Sequence, residues 1–96
     1  MNNYNYNEDD DYAAQYNIPE TTLEAARLYI TRGIAPGHFL TAVIENNLLS
    51  AVMYADNANL EALSRIVSFF YDQAPHNCWR SRDNMNRWMQ TFEGKA

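Results

Sequence analysis

From Thr21 to Phe92 the apolar residues return every three or four positions, and no segment alternates apolar with polar as a half-buried strand does. That spacing restricts the chain to helices packed on helices. The residues between the apolar runs set the boundaries. Thr21 and Glu24 have the spacing of a capping box, in which hydroxyl and carboxylate each satisfy a free amide of the first turn. A first main helix is predicted from there to about Arg32, with Leu23, Ala26 and Ile30 on one face. Gly33 ends it at the position where φ turns positive. Pro36 suits the first turn of a second helix, predicted over 36–55. Its apolar residues form two stripes: Leu40, Val43, Ile44 and Ala51, then Phe39, Ala42, Leu49, Val52 and Met53. Glu45-Asn46-Asn47 interrupts both.

Asp56 and Asn57 offer a cap for a third helix. That helix ends near Gln73, because Pro75 excludes the helical conformation at Ala74. Ser81 caps a fourth, in which Met85, Trp88, Met89 and Phe92 share one face. The expected fold is therefore all-α, a compact bundle of about four helices spanning 18–96. Connections of two to seven residues favour antiparallel neighbours. Residues 1–17 form a polar, acidic tail that admits a short helix over 10–16, with residues 1–7 expected to be mobile. Its four tyrosines, Tyr4, Tyr6, Tyr12 and Tyr16, have no core of their own in the tail and point to docking on another surface or on bases.

With 96 residues the chain is one small domain, short enough that its core is marginal alone. A single cysteine, Cys78, excludes an intrachain disulfide, and no Cys/His cluster has zinc spacing, so no metal or cofactor is expected. Self-association is then the favoured source of extra stability. A second helix that is apolar on two sides is either buried between neighbours or faces another subunit, and the latter fits self-association. The N-terminus MNNYNYNEDDDY has neither the basic nor the apolar region of a signal peptide, and no apolar run reaches the roughly 20 residues of a membrane span. A reducing cytoplasm and no membrane partner are expected.

The net charge of −5 argues against a partner that is polymeric nucleic acid, which calls for a basic face. It leaves room for a small anion held by a few of the six arginines, Arg27, Arg32, Arg65, Arg80, Arg82 and Arg87. Tyr12, Tyr16 and Tyr29 lie close in sequence to Arg27 and Arg32, and aromatic faces beside guanidinium groups suit a nucleotide. His38, after Pro36-Gly37, is either a phosphate donor at a helix start or an exposed first-turn residue. Cys78 beside His76 is either a nucleophile or a small buried anchor. No G-x-S-x-G, H-E-x-x-H or P-loop is present, so the chain is read as a binding protein and not an enzyme.

From Leu28 to Ser81 the segments L-Y-I-T-R-G-I-A-P-G-H-F-L-T-A-V-I-E-N-N-L, A-D-N-A-N and F-Y-D-Q-A-P-H-N-C-W-R-S resemble small helical proteins of tailed bacteriophages. Typical versions carry G-I-P-P-G-x-F-L, A-D-x-x-N and a C-W-G-S ending. Within that group the pattern is similar to the anti-CBASS cyclic-nucleotide sponges. The resemblance implies a homohexamer in the cytoplasm of the infected host. It would sequester cyclic di- and trinucleotides without cleaving them, in pockets at subunit interfaces. An aromatic on a base and a cation on a phosphate are the implied contacts, and Tyr12 and Arg27 are the candidates here. The full candidate ligand-binding set is Tyr12, Tyr16, Arg27, Thr31, Arg32, Gly37, His38, Phe39, Arg65 and Arg80. Ala35 and Arg80 depart from the pattern, standing where it has proline and glycine. The alternative is a phage inhibitor that binds a host protein directly.

Overall fold

The structure, a computed structural model, describes residues 6–93. In chain order the helices are α1 (Tyr12–Tyr16), α2 (Glu20–Arg32), α3 (His38–Ile44), α4 (Leu48–Tyr54), α5 (Asn57–Glu61), α6 (Leu63–Gln73), a 3₁₀ turn (His76–Cys78) and α7 (Arg82–Gln90). Among the described residues there is no strand, so the all-α class holds.

The count of seven arises because two of the four expected helices are each divided and the short N-terminal helix α1 is present. Asn46 takes the left-handed conformation, φ 63°, which asparagine tolerates better than most residues. The Asn47 side chain then accepts the Ser50 N–H at 3.2 Å and starts α4 as a new helix. The expected third helix divides at Ala62, but its hydrogen bonds run on: the Ala62 N–H donates to Ala58, and the Ala62 carbonyl accepts from Ile66. This is a one-residue bend, not a loop.

Two starts also move. Helix α2 begins at Glu20 with Pro19 as its cap residue and no side-chain cap bond, so Thr21 lies inside the first turn and the expected capping box does not form. Helix α3 begins at His38, and Pro36 stays in the preceding loop, where its carbonyl accepts the Thr41 hydroxyl at 3.2 Å. The other boundaries fall where the side chains dictate. Asp56 accepts the Asn59 N–H at 2.8 Å and Ser81 accepts the Asn84 N–H at 3.0 Å. Ala74 is extended ahead of Pro75.

The core gathers Tyr29 and Ile30 of α2, Leu40 and Ile44 of α3, Ile66, Phe69 and Phe70 of α6, and Met85 of α7. Gly33 closes α2 with φ 67°, and its N–H donates to the Tyr29 carbonyl at 2.9 Å. The same carbonyl accepts the Trp88 indole N–H at 3.1 Å, so α7 is anchored on the last turn of α2. The Phe92 ring sits directly over Gly33.

The acidic segment does not stand apart from the bundle. Tyr12 is only 2% exposed, and Tyr6, Tyr12 and Tyr16 all pack their rings against Phe69 of α6, with centroids 5.2–6.2 Å away. The mobility expected for residues 1–7 concerns, for 1–5 and Tyr4, positions outside the described residues. Tyr6 and Asn7 are held in place. No helix among the described residues is long and apolar enough to cross a membrane.

Candidate functional site

A turn and a cap shape the N-terminal strap. The Asn7 carbonyl and side chain accept the N–H groups of Asp10 and Asp9, and Asp11 caps α1 by accepting the Ala14 N–H at 3.2 Å. The turn brings the Asn7 N–H to the Tyr12 hydroxyl at 2.9 Å and stacks the Tyr6 ring on that of Tyr12, with centroids 5.4 Å apart. It also carries Glu8 onto Arg27 of α2. The Arg27 guanidinium meets Glu24 through two hydrogen bonds, of 2.7 and 3.0 Å, and Glu8 through one of 3.1 Å.

Those bonds raise the arginine's already high pKa further and lower that of Glu24. Burial, reinforced by the nearby Glu8 charge, pushes the Tyr6 phenol up to about 12.

Two open grooves flank this strap. One, of about 520 Å³, runs from Tyr6 and Glu8 past Tyr12 to Leu23 and Arg27. The other, of about 720 Å³, lies between Tyr6, Thr31, Trp88 and Phe92. Both are within the size range of small-molecule sites. The first is rimmed by five carboxylates, Glu8, Asp10, Asp11, Glu20 and Glu24. In the single chain Arg27 is thus neutralised, and a phosphate that approaches its guanidinium meets the charge of these carboxylates.

The candidate set does not converge on one place. Tyr12, Arg27 and Thr31 surround the strap, with the Thr31 hydroxyl donating to the Arg27 carbonyl at 2.7 Å. Tyr12 is buried by the strap, so the expectation of a free stacking surface is corrected: its ring is structural in the single chain. Tyr16 is likewise occupied, donating to Asp72 at 2.9 Å and accepting from Gln73 at 3.0 Å. Arg32 is exposed at the C-terminal end of α2, where its charge complements the helix dipole. Gly37, His38 and Phe39 line a third groove, of about 240 Å³, with Thr21 and Thr22. There the Phe39 ring is buried, and His38 stacks on Tyr54 with centroids 5.1 Å apart. Arg65 lies in a fourth groove and donates to the Asn17 carbonyl at 3.1 Å.

Arg80 stands elsewhere again. Its guanidinium lies 5.8 Å from the Tyr71 ring centre and 5.5 Å from that of Trp79. Its backbone has φ 90°, a conformation natural to glycine and strained for arginine.

The alternatives for Cys78 separate here. The residue is fully buried, and burial pushes its thiol up to about 12, so it is an anchor held protonated. His76 is exposed and stacks on Tyr71. Among the described residues no three His, Cys, Asp or Glu side chains are grouped to hold a metal.

Glu8 has no assigned role in the sequence reading, which singles out Tyr6 only as a docking aromatic. The Glu8–Arg27 contact spans 19 positions, and no local pattern encodes it. The second apolar stripe of the expected long helix is partly realised. Phe39 and Ala42 are buried, while Leu49, Val52 and Met53 face outward with Leu48. No protein-family model, curated protein or solved structure matches the chain.

Proposed function

We propose that this chain is a non-catalytic binding protein. It assembles with copies of itself, as a hexamer by the resemblance above, and sequesters cyclic di- and trinucleotides of bacterial antiphage defence in the host cytoplasm, so that their effectors stay off. The observation that carries this reading is the position of Arg27. It lines one groove large enough for such ligands, and Tyr6 and Glu8 form the wall that this groove shares with a second one, in which Thr31 lies. Glu8 occupies the guanidinium as a carboxylate stand-in for a phosphate, and the exchange keeps the charge on Arg27 balanced. The acidic rim opposes a dianion in the isolated chain. Binding therefore needs the strap to shift or a neighbouring copy to complete the pocket.

Calorimetry with a panel of cyclic di- and trinucleotides tests the reading. Saturable binding that weakens more than tenfold in Arg27→Ala, with intact nucleotide recovered, supports it. No heat at high micromolar ligand removes it, and turnover of any cyclic nucleotide removes the non-catalytic part. The exposed apolar face of α4 also favours direct binding of a host protein. One stoichiometric host protein captured by a chain that ignores nucleotides would establish that alternative.

A further inference from the structure

The surface holds an apolar field that the single chain leaves uncovered. On α4, Leu48, Leu49 and Met53 are 70–74% exposed and Val52 is 42% exposed. On α6, Val67 and Tyr71, one helical turn apart, are 39% and 60% exposed. The two helices are continuous here, because Leu48, Ala51, Leu63 and Val67 line one shallow groove with Trp79 at its wall. Taking on the order of 150–250 Å² for a large side chain when fully open, these six leave roughly 540–900 Å² uncovered. The largest apolar patch on an ordinary monomer is about 300–600 Å². A standard stable interface covers about 800 Å² on each partner.

We propose that this α4–α6 face is where a second copy of the chain sits, as an isologous pair. This rests on the self-association in the reading above and assigns it a place and a symmetry. Two features argue for a second copy. The six side chains and the whole of α4 carry no charge, and the charged group packed against Tyr71 and Trp79 is the cation Arg80, so two chains of net charge −5 meet where acidic repulsion is least. Leu48, strongly exposed, also stands at the edge of the groove that it helps to line, so projection and recess adjoin on one face and two copies can meet there about a two-fold axis.

Sedimentation of the full chain tests the proposal. The wild type is expected as a dimer or an even multiple. Raising salt from about 0.05 to about 0.5 M is expected to strengthen the association, since it screens repulsion between acidic bodies and the six apolar side chains form no ion pairs of their own. The double variant Leu49→Asp, Met53→Asp is expected to fall to the single-chain mass of 11.1 kDa with its helical circular dichroism retained. If the aspartates unfold it, the milder pair Leu49→Ser, Met53→Gln is measured in its place. A wild type that stays at 11.1 kDa at about 100 µM, or a folded variant that stays assembled, overturns the proposal. Nucleotide titration of the same samples separates the two inferences. Assembly without nucleotide binding leaves the face standing and removes the ligand, and binding by a strict monomer does the reverse.

Discussion

The phenol of Tyr29 donates to the main-chain carbonyl of Cys78 at 2.5 Å, inside the core and across 49 positions of sequence. Both residues are fully buried, and the Tyr29 carbonyl also holds Trp88. One residue of α2 therefore ties down the turn before α7 with its side chain and α7 itself with its main chain. Tyr29→Phe leaves the Cys78 carbonyl buried without this donor. A loss of about 1–3 kcal/mol is expected in urea unfolding, with assembly unchanged.

Gly33→Ala meets two obstacles. The added Cβ collides with the Phe92 ring, and φ 67° disfavours any side chain. Destabilisation of about 1–3 kcal/mol is expected, read as a lower thermal midpoint. Gly37→Ala is its control, because nothing lies within 4 Å of a Cβ there.

At position 80 two small substitutions should separate by sign. Both Arg80→Gly and Arg80→Ala lose the guanidinium contacts to Tyr71 and Trp79, but only glycine relieves the strained backbone. The glycine variant is expected to be more stable than the alanine variant by about 1 kcal/mol in chemical denaturation.

Alkaline pH should weaken the fold in a defined window. Burial raises Cys78 from 9.0 and Tyr6 from 10.0 to about 12 each, and raises Tyr29 as well. Each group is more readily deprotonated in the unfolded chain. Its contribution is therefore complete below the unfolded value and is lost as pH climbs from about 9 toward 12. Cys78 alone accounts for about 4 kcal/mol at the upper end. Urea midpoints at pH 8, 10 and 12 check this. A thiol reagent at pH 8 should modify Cys78 only at the rate of unfolding.

What was legible in the sequence is what neighbours along the chain decide. Gly33, Asp56, Pro75 and Ser81 set boundaries by their own backbone or cap chemistry, and the structure keeps them. The break at Asn46 was visible as a polar interruption, but whether such a run bends a helix or restarts it depends on the left-handed backbone that Asn46 adopts. The strap was not legible. Tyr12 reads as a spare aromatic in an acidic tail until Phe69 and Gln73 are placed beneath it. The same holds for Arg27, whose two carboxylate partners come one from its own helix and one from the strap.

The anchoring of the strap on α6 orders events in time. Tyr12 and Gln73 are 61 positions apart, so the acidic segment has nothing to close upon until α6 has been made. At about 5–20 residues per second, translation leaves it undocked for several seconds. During that interval Glu8 cannot yet be held against Arg27 by the packed tyrosines, and the arginine is open to other anions. A nascent or truncated chain ending before α6 would therefore present a different charge surface from the finished protein.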